Sequence, residues 1–332
     1  MSVVITKSDF HNVARGFLMG GADIIPGVSG GTVALVLGIY ERLVTAISRF
    51  DMQFLALVRR REFLAAGAHS DLQFLGALLA GIGTGIVGLA SLMHYLMEHQ
   101  QQHTLAAFFG LILASSYVVA AMIKGWSRRS WLIAGAAAAF AFWLVGLVPA
   151  VPPEGNAYVV LTGMIAICAM ILPGISGAFI MLIMGKYHDI TGILRSLAHF
   201  DISGSGVVTL LAFMIGAGVG LLSFSKVLHW LLEWYQAATM AALCGFMLGS
   251  LRKIWPFKKD LTPEVLEFKL KQFQNELPDL SDGSVWFSLL IVVLAAGFVL
   301  ALDRFGKRNQ TPTAGETSQP AAVTEEDQPP VG

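Results

Sequence analysis

Residues 20–32 read Gly20-Gly21-Ala22-Asp23-Ile24-Ile25-Pro26-Gly27-Val28-Ser29-Gly30-Gly31-Thr32, and residues 170–179 read Met170-Ile171-Leu172-Pro173-Gly174-Ile175-Ser176-Gly177-Ala178-Phe179. Both lie in apolar runs that Pro-Gly-x-Ser-Gly interrupts, because proline has no N–H to donate and glycine favours turns. The two stretches superpose at a constant offset of 147, with Pro26 on Pro173, Gly27 on Gly174, Ser29 on Ser176 and Gly30 on Gly177. The match runs on to Gly38 on Gly185 and Tyr40 on Tyr187. A second block repeats at an offset of 135: Gly81, Gly83 and Gly85 fall on Gly216, Gly218 and Gly220, and His94, Glu98, Thr104 and Gly110 on His229, Glu233, Thr239 and Gly245. The chain is internally duplicated. Repeat one runs from about 10 to 120 and repeat two from about 157 to 252, with 131–149 joining them.

Of the 332 residues 55% are hydrophobic and 13% charged, the latter about half the share of an ordinary soluble domain. The formal net charge is zero, so no basic footprint points to nucleic acid. The two cysteines, Cys168 and Cys244, lie in apolar runs and form neither a disulfide framework nor a metal site. The N-terminal stretch lacks the charged, apolar, small-residue order of a cleavable signal. Apolar runs at 73–98, 104–123, 131–149, 206–232, 236–251 and 284–302 approach the length that crosses about 30 Å of hydrocarbon. These features predict an all-α polytopic membrane protein, with one transport domain over 1–308 and a disordered tail over 309–332.

In residues 51–66, apolar side chains surround Arg59, Arg60 and Arg61, which suits a helix at the headgroup level facing anionic lipid. Residues 252–283 form a connector with six basic and six acidic residues, expected to hold a short helix from Thr262 to about Gln274.

The parity of crossings relates the repeats. Residues 12–25 would rise only about 21 Å as a helix, too little to cross. Each broken segment is therefore expected to be a hairpin that enters and leaves on one side. Two further crossings per repeat plus the joining span then make an odd number, so the repeats are inverted. A broken segment that crossed once would make them parallel instead. The positive-inside rule supports a cytoplasmic 49–62 and 124–130 in both cases, whereas the basic residues of 252–271 favour the parallel arrangement.

Irregular backbone at membrane depth is tolerated only when buried in protein or lining a polar cavity, and paired breaks in two halves point to a transporter's binding site. After each break a new helix starts, with unsatisfied N–H groups and a positive dipole end, which suits a phosphate or carboxylate. The expected anion site comprises Pro26, Gly27, Ser29, Gly30, Gly31 and Thr32 with Pro173, Gly174, Ser176 and Gly177. The plain alternative is a pair of kinks, each with its serine capping the next helix.

Intramembrane charge is costly and tends to be functional, so Asp23, Glu41, Arg42 and Asp189 are candidate coupling or cavity residues. Asp23 could hold a proton or Na+, and the second repeat has Met170 in its place. The pairs His94/Glu98 and His229/Glu233 read as interfacial hydrogen bonding rather than metal ligation. Glycines 81, 83, 85 and 88 spell G-x-G-x-x-G, but inside a membrane span they read as helix packing. Nothing in the chain implies a nucleotide, a metal or another cofactor.

The stretches GGADIIPGVSGGTVALVLGIYERL and ILPGISGAFIMLIMGKYHDI resemble the PopT family of bacterial undecaprenyl-phosphate translocases, with similarity over roughly 10–305. The resemblance implies no enzyme but a carrier in the cytoplasmic membrane. It would return undecaprenyl phosphate from the outer to the inner leaflet for peptidoglycan and other surface polymers. The family motif falls on Asp23, Pro26, Gly27, Ser29, Gly30, Gly31 and Thr32, and on Pro173, Gly174, Ser176 and Gly177, with Ala178 where the first copy has Gly31. The competing expectation is a secondary transporter of a small soluble anion using the same helix ends.

Overall fold

The computed structural model describes residues 7–24, 28–123, 125–147, 151–198, 203–262, 264–265, 271 and 273–308. Among them the chain is almost entirely helical, a polytopic α-helical membrane protein with one small β-ribbon. The first half contains α1 (Lys7–Asp23), α2 (Gly30–Val36), α3 (Tyr40–Ser48), α4 (Met52–Arg59), α5 (Phe63–His69), α6 (Leu72–His99), α7 (Gln101–Met122) and α8 (Arg128–Leu144). The second contains α9 (Asn156–Ile171), α10 (Gly177–Ile183), α11 (Tyr187–Ala198), α12 (Gly204–Trp234), α13 (Gln236–Ser250), strands β1 (Lys258–Asp260) and β2 (Phe273–Asn275), and α14 (Gly283–Arg308).

Four helices, α6, α7, α12 and α14, are long and apolar enough to cross a bilayer. The 17, 16 and 15 residues of α8, α9 and α13 rise only about 22–26 Å. The expected full spans at 131–149 and 236–251 are thus shorter than read, and α13 ends where Ser250 turns its hydroxyl back onto the Met247 carbonyl, 2.7 Å away.

The duplication is visible in detail. Helices α2 and α10 begin and end at positions 147 apart, and the same turn closes both. Gly38 and Gly185 adopt φ of +68° and +69°, and the pair Gly38 N–H to Leu35 O and Ile39 N–H to Ala34 O recurs as Gly185 to Leu182 and Lys186 to Met181. This left-handed glycine closure satisfies the last carbonyls of a helix that must stop at once. Thr104 bonds the Leu96 and Gln100 carbonyls, just as Thr239 bonds those of Leu231 and Tyr235.

Glycine lets the helices pair. A Cβ on Gly81 would lie 2.9 Å from Gly16 Cα, and one on Gly85 3.0 Å from Phe17 Cα, so α1 and α6 run in parallel with their backbones touching. The equivalent pair α9 and α12 meets where Gly216 faces Val160 Cα at 2.9 Å. Gly110 on α7 abuts Val292 of α14, and its counterpart Gly245 on α13 abuts Ala134 and Ala137 of α8. Helices α8 and α14 therefore hold matching places beside α13 and α7. Where α7 and α13 touch each other they run antiparallel: Cys244 Sγ donates to Ser116 O at 3.4 Å, and the Phe109 ring, earlier on α7, meets that of Trp255, just past the end of α13, at 5.6 Å.

The arginine-rich segment is two short helices rather than one, broken where Arg61 takes φ +60°. Arg59, Arg60 and Arg61 are exposed beside exposed Met52, Leu55, Phe63 and Leu64. The connector departs from expectation. The far end of the helix expected from Thr262 to about Gln274 is strand instead: Phe273–Asn275 pairs antiparallel with Lys258–Asp260, Asp260 opposite Phe273, while 263, 266–270 and 272 lie outside the described residues. The Lys271–Asp260 ion pair at 2.7 Å and the Glu276 N–H to Phe257 O bond at 2.9 Å hold the two arms extended. Helical spacing of apolar residues cannot register such cross-chain bonds. The tail expected to be disordered lies outside the described residues.

Candidate functional site

The first broken segment enters and leaves at one end of α6. Gln73 Nε2 donates to Asp9 Oδ2 at 2.8 Å near the start of α1, and Arg42 at the start of α3 holds Asp71 bidentately at 2.7 and 3.2 Å. Between those anchors α1 descends until Gly21 faces Leu89, about 25 Å along α6, and the chain returns through α2 and α3, which are bent by 118°. The second segment repeats this against α12, with Tyr158 Oη bonding Met184 O at 3.0 Å and Val159, Ile190 and Ala212 clustered.

The tips of the hairpins are bound to one another. Thr32 Oγ1 accepts the Gly174 N–H at 2.9 Å, Ser29 Oγ donates to Met170 O at 3.2 Å, and Tyr40 Oη donates to Ile171 O at 3.1 Å. Ser29 and Thr32 are 1% and 2% exposed. Ser29 also caps α2, accepting the Gly31 N–H at 3.1 Å. The small residues are needed by the packing: a Cβ on Gly31 would fall 2.8 Å from Ile171 O, and Gly174 turns at φ +87° against Ser250.

The first helix end is already occupied. Asp23 Oδ1 accepts the Gly30 N–H at 2.6 Å, so a carboxylate of the chain sits where an anion would bind. In the second copy Met170 replaces Asp23, and a Cβ on Gly177 would lie 3.3 Å from the Met170 Cβ and 2.8 Å from Ala166 O. Ser176 takes the extended cap conformation without a side-chain cap bond. Pro173 is buried in the turn, whereas Pro26 and Gly27 lie outside the described residues.

The other charged candidates are not brought to the tips. Arg42 pairs with Asp71 and stacks over Phe74 at 4.2 Å, Glu41 accepts from Gln236 at 3.1 Å, and Asp189 pairs with Lys186 at 2.9 Å. His94/Glu98 and His229/Glu233 approach at 3.6 and 4.0 Å, and His229 Nδ1 also lies 3.2 Å from Thr45 Oγ1.

The family model described as "VCA0040-like: Undecaprenyl phosphate translocase-like" matches residues 19–269, which include both tips. The chain belongs to that family. It is 39% identical over 315 residues to a polyprenyl-phosphate transporter of Vibrio cholerae serotype O1, covering 91% of this chain and 99% of that protein. It is 29% identical over 260 residues to a polyprenyl-phosphate transporter of Staphylococcus aureus, covering 74% and 86% respectively. No solved structure matches the chain.

Residue-type reasoning missed the acceptors at the tips of this family member, the Met170 and Ile171 carbonyls, and the donor hydroxyl of Tyr40. The one available signal was Tyr40 itself, a polar aromatic recurring as Tyr187 in both copies.

Proposed function

We propose that the chain carries polyprenyl phosphate from the outer to the inner leaflet of the bacterial cytoplasmic membrane, returning the carrier lipid to cell-envelope synthesis. The carrying observation is the pair of hairpins joined through Thr32 and Gly174 in a chain whose relatives are named for that substrate. A phosphate cannot enter hydrocarbon unpaired, because burying an isolated charge is prohibitive. Hairpins that reach inward from two sides shorten the distance over which the headgroup needs a polar path, while the polyprenyl tail stays in lipid.

Inverted repeats fit this reading. Support comes from the antiparallel contact of α7 with α13 and from the matching places of α8 and α14, which give each repeat six equivalent helices. The arginine-rich α4–α5 segment then lies on the cytoplasmic side, and the connector, whose end at α14 meets the start of α7 through Gln102 and Ser288 at 2.9 Å, lies on the opposite one.

In this mechanism the phosphate contacts the helix ends at Ser29, Gly30, Gly31 and Thr32 and at Ser176 and Gly177, with Pro26 and Gly27 preceding the first and the turn at Pro173-Gly174 preceding the second. Asp23 and the phosphate compete for the Gly30 N–H, so a proton or Na+ taken up by Asp23 releases that amide to the substrate. The chain acts as a carrier, not as an enzyme.

The test is a proteoliposome loaded with polyprenyl phosphate in one leaflet, with phosphatase-accessible lipid measured on each side. Protein-dependent transfer of the lipid without uptake of inorganic phosphate is expected. Uptake of soluble anions with the lipid left in place would overturn the reading.

A further inference from the structure

The connector holds two cations that the carrier reading above does not use. Lys253 follows α13 by one turn, its N–H bonded to Ser250 O at 2.8 Å, and Ser250 packs on Gly174 at the second tip. Its ammonium lies over the ring of Phe179 on α10, 4.1 Å from the centroid. Lys258 Nζ donates to the Lys253 carbonyl and faces Phe273 at 5.7 Å.

Among the described residues no carboxylate pairs with either lysine. Asp260, the nearest acid in sequence, is engaged by Lys271 at 2.7 Å. Burial lowers Lys253 from 10.5 to about 8, and burial together with the neighbouring Lys253 charge lowers Lys258 to about 7. Two half-buried like charges held against aromatic faces and a carbonyl lack one thing, an anion.

The hairpins differ in sign as well. The first places the Asp23 carboxylate on its own helix end, and the second has Met170 there and Lys253 alongside.

We propose that Lys253 and Lys258 form a receiving site for a phosphate monoester beside the second hairpin, which takes the headgroup of the carried lipid before it reaches the joined tips. This rests on the carrier reading and adds a place to it. Two ammonium groups carried on one turn and one strand, joined where Lys258 Nζ meets the Lys253 carbonyl, can each donate to a phosphate oxygen, a charge-assisted contact that a neutral polyprenol cannot make. The phosphate would also restore the counter-charge that the two lysines lack.

The experiment measures binding of polyprenyl phosphate, polyprenol and inorganic phosphate to the full chain in nanodiscs, followed by tryptophan fluorescence. It compares wild type with Lys253→Gln, Lys258→Gln, the charge-keeping Lys253→Arg, and Lys259→Gln, which alters an exposed neighbour. Expected is a loss of about tenfold or more in polyprenyl-phosphate affinity for each buried-lysine Gln variant, recovery in Lys253→Arg, and less than about twofold change in Lys259→Gln. Polyprenol binding should not change in any variant, and inorganic phosphate should compete with the lipid in wild type.

Folded Gln variants, with wild-type melting temperatures, that bind and transport the lipid normally would overturn the site while leaving the carrier reading intact. Lysine-dependent binding of inorganic phosphate with unaltered lipid binding would assign the site to a soluble anion and overturn it as a lipid site. A wild-type chain that moves no lipid would instead sink the carrier reading.

Discussion

Thr32→Val tests the joint between the hairpins. The Thr32 hydroxyl accepts the Gly174 N–H at 2.9 Å across 142 residues of sequence, and Thr32 is 2% exposed. Valine keeps the branched shape and the methyl group, so packing is preserved and the loss falls on one hydrogen bond. A buried backbone N–H left without an acceptor costs about 1–3 kcal/mol. At about 1.4 kcal/mol per factor of ten, the balance between joined and parted tips shifts by roughly fivefold to 140-fold. Thr32→Ser keeps the oxygen and gives up only a methyl, worth about 0.8 kcal/mol. Amide hydrogen exchange over 172–176 in nanodiscs reads the joint directly, and denaturant unfolding reads the whole molecule. Exchange should accelerate by roughly that factor in Thr32→Val and change little in Thr32→Ser. A valine variant as protected and as stable as wild type would refute the claim that this bond holds the tips together.

Three further outcomes follow from particular contacts. Gly81→Val must push α1 off α6, since the Cβ would sit 2.9 Å from Gly16 Cα, and should cost about 1–3 kcal/mol or more in unfolding free energy. Gly83→Val, which faces open space, should cost little, and equal effects would contradict the packing argument. Asp23→Asn keeps an acceptor for the Gly30 N–H but removes the charge, so it should leave the fold intact and abolish any pH or Na+ dependence of lipid transfer. Transfer assays that find the dependence unchanged would remove Asp23 from coupling. Because the folded chain lowers Lys253 and Lys258 to about 8 and about 7, it holds fewer protons there than the unfolded chain between about pH 7 and 10. Their contribution therefore makes stability rise with pH over that window, and a Lys253→Gln/Lys258→Gln double variant should show a flatter rise in its denaturation midpoint.

Much of the architecture could be read from local chemistry. The breaks between α1 and α2 and between α9 and α10, the four longest apolar helices and the duplication at offsets of 147 and 135 depend on residue type and spacing alone, and the structure carries them where the sequence places them. The glycine triplets read as packing surfaces are such surfaces at Gly81 and Gly85 but not at Gly83. The connector near Gln274 is strand rather than helix because Lys271 reaches Asp260 and Glu276 reaches Phe257, pairings that no helical periodicity encodes.

The sequence by itself determined that this is a duplicated membrane chain with two helix breaks, because proline, glycine and apolar length act within a few residues of where they stand. Only the tertiary structure decided what the breaks face. Their partners are the carbonyls of Met170 and Ile171 and the amide of Gly174, backbone groups that every residue carries and that leave no mark in the letters. The same holds for the asymmetry between the halves. Asp23 could be seen as an extra charge, but its position on the Gly30 amide and that of Lys253 over Phe179 follow from how the chain folds back on itself.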